Sequence, residues 1–168
     1  MPEEDKYILV LGSKPESKLP DIKVEKIYSA NGAAERATDY KKKYLNIHHT
    51  ALIGSKEFSE NQNVKSRVVN SSPQRLYCRS GNITLPEELK KSELEFLTSK
   101  EQFSFQSKFY KFGGLDILLG EIFFYETNLI KLLKHTYACA IYRGFWGVAT
   151  GFYSILLALH ENPNSKII

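Results

Sequence analysis

The sequence predicts an α/β domain, with a largely parallel sheet between two layers of helices. Three observations carry that prediction. Residues 7–11 (YILVL) are apolar almost throughout, as in a strand covered on both faces. Short β-rich runs are separated by a stretch of good helix formers. Several of those runs end in small polar residues, the chemistry of strand ends gathered on one rim of a parallel sheet.

The elements follow in order. The first strand ends at Gly12-Ser13 and gives way to a proline-marked loop reaching Pro20. Residues 24–30 (VEKIYSA) predict a second strand, ending at Asn31-Gly32. Residues 33–45 predict a helix with a charged face. Residues 49–55 (HTALIGS) read as a third strand ending in Gly54-Ser55, and residues 65–72 (KSRVVNSS) as a fourth ending in Asn70-Ser71. Residues 75–81 read as a fifth, edge-like strand. Together these runs define a Rossmann-like three-layer domain spanning residues 1–168, with four polar strand ends sharing one rim.

Residues 83–114 are charged and aromatic with little β pattern, and Pro86-Glu87-Glu88 marks a helix start. Phe103, Phe105, Phe109, Tyr110 and Phe112 form an aromatic cluster there. The segment reads as a satellite packed on the domain or as a lid over a substrate. Residues 115–142 are apolar on a helical period and predict one or two helices. Thr150 is placed to cap a helix over 152–160, which Asn162-Pro163 ends. Residues 166–168 open another buried strand. The chain stops inside it, which predicts a fragment or truncated product, and an open sheet edge there predicts a homo-oligomer.

Composition narrows the function. The chain is 42% hydrophobic and 25% charged, as one ordinary globular domain is. Lys and Arg number 23 against 19 Asp and Glu, a net charge of +4. That balance argues against nucleic acid as partner and suits an anionic ligand or peripheral contact with an acidic membrane surface. Cys78 and Cys139 are too far apart in sequence for a zinc pattern, and two cysteines fit a reducing cytoplasm. The most apolar stretch, residues 144–159, has 16 residues without a charge, short of the roughly 20 that span a bilayer.

Discrete chemical motifs are few. Adjacent His48 and His49 point to opposite sides of an extended chain, one buried and one solvated, so they do not share a metal. No metal site is expected. Arg143, beside Gly144 and Gly147, is either an anion clamp or a stacked loop residue. Gly12 is not followed by the glycines of a dinucleotide fingerprint, and no phosphate-loop motif is present, so no resident cofactor is expected.

The order of elements resembles one family. Gly12-Ser13-x-Pro after the first strand, Asn31 after the second, and Thr150-Gly151-Phe152-Tyr153 before a helix and a final strand are similar to the bacterial CMP-sialic-acid-dependent sialyltransferases and related polysaccharide-biosynthesis proteins. The resemblance implies a nucleotide-sugar (CMP-sugar) donor, a glycan acceptor and a transferase role. It also implies nucleotide-binding positions at Gly12, Ser13, Asn31, Gly54, Ser55, Thr150 and Gly151. The first loop departs from the family's Gly-Asn-Gly-Pro-Ser. The family's catalytic histidine lies after the strand that begins at Lys166, so what is implied here is a donor cradle, with the catalytic residue unassigned. A non-catalytic binding or assembly module and another kind of nucleotide-binding protein remain the alternatives.

Overall fold

A computed structural model of the protein describes residues 6–12, 18–79, 83–106, 108–109, 130 and 149–168. The chain divides into two compact units, Met1–Leu97 with Ala149–Ile168, and Thr98–Val148. The first is the α/β body.

Its sheet has six strands, all parallel: β1 (Tyr7–Leu11), β2 (Lys26–Ala30), β3 (His48–Gly54), β4 (Arg75–Arg79), β5 (Glu93–Leu97) and β6 (Lys166–Ile167). They are arranged β5-β4-β3-β2-β1-β6. This is the Rossmann-like architecture. From β1 the chain steps outward through β2 to β5, then returns to place β6 on the other side of β1. The direction of winding therefore changes at β1, the position where such sheets open a crevice at the strands' carboxyl ends.

Strand alternation sorts the side chains onto two faces. Leu9, Leu11, Ile27, Ala51, Ile53, Leu76 and Cys78 are buried on one face. They pack with Ala33, Ala37 and Tyr40, and with Phe58, Val64 and Val68. These partners come from the start and body of α1 (Ala34–Lys43), from α2 (Ser55–Glu60) and from α3 (Gln62–Ser71). Each fully buried aliphatic side chain there contributes about 1.5–3 kcal/mol. The other face carries Tyr28, Arg75, Tyr77 and Arg79, which meet α5 (Thr150–Glu161).

Residues 65–72 are not a strand. All but the C-cap Ser72 belong to α3, because Val64 and Val68 repeat at helical spacing and the Asn61 side chain caps the helix, accepting from Asn63 N–H at 3.1 Å and Val64 N–H at 3.3 Å. The helix ends at Ser72, in the left-handed region at φ 43°. Lys41 Nζ donates to the Ser71 carbonyl at 2.7 Å, a cation at the negative helix end. Asn70-Ser71 is thus a helix end, and the shared rim loses one of its four expected strand termini.

β4 is interior, not an edge, because residues 93–97 form β5 beside it. The expectation of little β structure across 83–114 fails at those residues. Ser55 begins α2 and does not end β3. Pro86 precedes only a single 3-10 turn, Glu87–Leu89. β6 does form, as an edge strand, with Val10 N–H donating to the Ile168 carbonyl at 2.8 Å.

In the second unit, α4 (Ser99–Gln106) opens with a capping box. Thr98 N–H donates to Glu101 Oε2 at 2.8 Å, and Glu101 N–H donates to Thr98 Oγ1 at 3.3 Å. Phe105 and Phe109 meet edge to face, with centroids 5.3 Å apart. Tyr110, Phe112 and, apart from Ile130, the helices expected over 115–142 lie outside the described residues. No helix among the described residues is long and apolar enough to cross a membrane.

Candidate functional site at the carboxyl rim of the sheet

A cleft of about 720 Å³ opens at the carboxyl ends of β1 and β2. Its floor is Gly12 and the turn Ala30 to Ala33, one wall is α1 with the middle of α3, and the other is the start of α5. It therefore sits at the switch in strand order. Gly12, Asn31, Thr150 and Gly151, four positions the sequence singles out, all line it. Gly54 lines a neighbouring hollow with Lys56 and Asn61 instead, and Glu57 is shared by both. Ser55, at the start of α2, lines neither. Ser13 and Arg143 lie outside the described residues.

Two glycines of the cleft have no steric reason to be glycine. A Cβ added at Gly12 or Gly151 would meet nothing within 4 Å, and neither residue has a left-handed backbone. Such positions keep bare backbone open to an approaching group. A Cβ at Gly32 would stand 3.4 Å from a guanidinium nitrogen of Arg67, an ordinary van der Waals contact.

α5 points its amino end at this cleft. Its cap residue is Ala149, not Thr150, and no side chain caps the helix. The Thr150 hydroxyl instead accepts a hydrogen bond from Arg79 at 3.3 Å, and the Arg79 guanidinium lies 4.8 Å from the Tyr153 ring centroid. Arg79 is 92% buried at the end of β4 (8% exposed), so a cation stands beside the positive end of the helix. Both raise the local potential in favour of an anion.

Asn31 has a structural task. It adopts the left-handed conformation at φ 47°, which asparagine tolerates better than most residues. Its Oδ1 accepts from Gly54 N–H at 3.1 Å, and its Nδ2 donates to Glu57 at 3.3 Å. One side chain thus ties the end of β2 to the end of β3 and to α2. Asn31 shapes the cleft and holds its own polar atoms within the protein.

Charged residues on the helices complete the cleft: Glu35, Arg36 and Asp39 from α1, Glu57 from α2 and Arg67 from α3. Arg67 Nε pairs with Glu35 at 3.1 Å, both side chains about half exposed. Sequence reasoning passed over Arg67 because it sits in the segment read as a strand. The four-residue spacing of Val64 and Val68 was the signal that would have placed it on a helix facing the β2 turn.

A second polar cluster lies at the opposite rim. Glu161, at the end of α5, accepts from Tyr28 OH at 2.5 Å, from Tyr77 OH at 3.0 Å and from Arg75 at 2.9 Å. Arg75 also pairs with Glu95. Asn162 bridges Tyr28 OH at 3.0 Å and Lys26 Nζ at 2.9 Å. Burial and the Glu161 carboxylate push both tyrosine hydroxyls well above their ordinary pKa, so they stay protonated donors. This cluster anchors α5.

Ser29 Oγ and His49 Nε2 are 2.8 Å apart, a distance that suits nucleophile and base. Both are fully buried, which closes the pair to substrate. Burial, helped by the Lys41 charge, lowers the His49 pKa to about 3 and keeps the ring neutral. His48 on the same strand is exposed, as the alternation requires. Burial raises the Cys78 thiol to about 11, so it is inert. No metal-holding group of three His, Cys, Asp or Glu exists among the described residues.

What these features define is a Rossmann-like α/β protein with an open carboxyl-rim cleft. No protein-family model matches the chain, and no curated protein or solved structure matches it either.

Proposed function

We propose that the α/β body binds a nucleotide through the carboxyl-rim cleft, with the phosphate against Gly12 and the start of α5. The observation that carries this reading is the coincidence of place. The uncapped helix end and two sterically unconstrained glycines line one cleft, and that cleft stands at the switch in strand order. The order of elements further favours a CMP-sugar as the nucleotide, in a glycosyltransferase-related, sialyltransferase-like protein. In a complete reaction of that kind a base activates an acceptor hydroxyl while protein donors stabilise the departing phosphate. The described cleft residues suit the second task. Arg67 with Glu35, and Asn31 with Glu57, are paired with each other, which favours binding and orientation over proton transfer.

The test is calorimetric titration of the whole chain with CMP, using UMP, GMP, AMP and NAD as controls. The reading expects saturable binding, with CMP strongest. At a ligand concentration of 100 times Kd, binding adds about 2.7 kcal/mol of stability, visible as a rise in Tm. An absent response to every nucleotide would refute it, and an equal response to all of them would overturn the preference for CMP.

A further inference from the structure

The cleft contains a cation already holding an anion. Arg67 projects from α3 across the turn that follows β2. Its guanidinium reaches the space where a Gly32 side chain would begin, with a nitrogen 3.4 Å and the δ-carbon 3.6 Å from that point. Its Nε is 3.1 Å from a carboxylate oxygen of Glu35, in the first turn of the facing helix. Arg67 and Glu35 both line the cleft wall, and both are about half exposed.

An ion pair this exposed contributes little to folding, typically under about 1 kcal/mol. Its geometry matters more for a ligand. A guanidinium offers five N–H donors in a planar fork, and one carboxylate leaves part of that fork unused. A phosphate entering the cleft presents the same acceptor chemistry as Glu35 with more charge. The guanidinium lies over the cleft floor, at van der Waals distance from where a Gly32 side chain would begin.

We infer that Arg67 is the phosphate-recognising residue of this cleft and that Glu35 is its resident counter-anion, exchanged for phosphate when ligand binds. The inference deepens the nucleotide-binding reading and rests on it for the identity of the ligand. It has a consequence of opposite sign at two neighbouring residues. Removing the guanidinium weakens binding, whereas removing the competing carboxylate strengthens it. A purely structural ion pair would give the same change in both variants.

The experiment titrates wild type, Arg67→Gln, Arg67→Lys and Glu35→Gln with CMP and, separately, with inorganic pyrophosphate. Circular dichroism melting is recorded alongside to establish that each variant folds. Arg67→Gln is expected to weaken CMP about tenfold or more, as loss of a charge-assisted hydrogen bond does. Arg67→Lys should retain part of that affinity. Glu35→Gln should tighten CMP about two- to fivefold, the scale of an exposed ion pair. If CMP binds and both positions leave it unchanged, or both weaken it, the inference is overturned and the cleft reading stands. If pyrophosphate binds through Arg67 but no nucleotide does, the inference stands and the nucleotide reading falls. If neither ligand binds wild type, both are overturned.

Discussion

The two rims of the sheet are both polar, and they use polarity in opposite ways. At the amino rim Arg75, Glu95, Glu161, Tyr28, Asn162 and Lys26 satisfy one another in a closed network. At the carboxyl rim Gly12, Thr150 and Gly151 leave uncapped backbone facing a cleft. α5 joins the two, its last residue in the network and its first in the cleft. The closed rim fixes the helix so that the open rim has a defined shape. The difference teaches that polar residues in a sheet domain read as site or scaffold according to whether their bonds are spent within the chain.

The comparison breaks most visibly at the amino rim. Glu161→Ala removes the acceptor shared by Tyr28, Tyr77 and Arg75, leaving two buried tyrosine hydroxyls without their acceptor and Arg75 with Glu95 alone. We expect a loss of about 3 kcal/mol in chemical denaturation, the scale of breaking a buried ion pair. A loss under about 0.5 kcal/mol would mean the network is not the anchor of α5.

His49 gives an effect of similar size through pH. Its folded pKa of about 3 lies below the ordinary value of 6.5, so the fold favours the neutral ring. Its contribution to stability is whole above pH 6.5 and is lost as pH falls toward 3. By linkage the loss at pH 4 is about 3 kcal/mol. Urea titrations between pH 7 and 4 should show this decline in wild type. It should be shallower in His49→Gln, whose amide can still bond to Ser29.

Asn31 lies between scaffold and site. Asn31→Ala removes two hydrogen bonds and puts alanine in the left-handed region, for an expected cost of about 2 kcal/mol. Asn31→Gly should restore only the backbone part of that loss. If the two variants are equally stable, the left-handed turn carries no strain.

The smallest effect on stability falls at the open rim. Gly151→Ala meets no atom and sits in the first turn of a helix, so it should stabilise the fold by about 0.5 kcal/mol. The same methyl should weaken CMP. Stability and binding moving in opposite directions at one residue is what separates a cradle glycine from a structural one.

Much of the fold was legible in the sequence, and the reasons are local. β1, β2, β3 and the last helix announce themselves as short apolar runs with turn residues behind them. α3 was misread because Val68-Val69 is a β-branched pair, while its true signals were the Asn61 cap and the spacing from Val64. β5 was missed because its residues, ELEFL, are exposed or half-buried in turn, with no fully buried position to mark a strand. Without β5, β4 looked like an edge.

The cleft was half legible for a similar reason. Gly12, Asn31, Thr150 and Gly151 stand at ends of elements, where sequence patterns change. Glu35 and Arg67 stand inside helices and look like solvated charges. Only the packing of α1 against α3 brings them within 3.1 Å across 32 positions of sequence. Asn31 reads from sequence as a ligand contact; in the fold it lines the cleft and also bridges Gly54 and Glu57.

The central claim is that the carboxyl rim, and not the equally polar amino rim, receives the ligand. It is tested most directly by following the backbone amides of the labelled protein by NMR as CMP is added. The account predicts shifts concentrated at Gly12, Gly32, Thr150 and Gly151, with Lys26, Arg75 and Glu161 unmoved. Shifts centred on the amino rim, or none at saturating CMP, would contradict it.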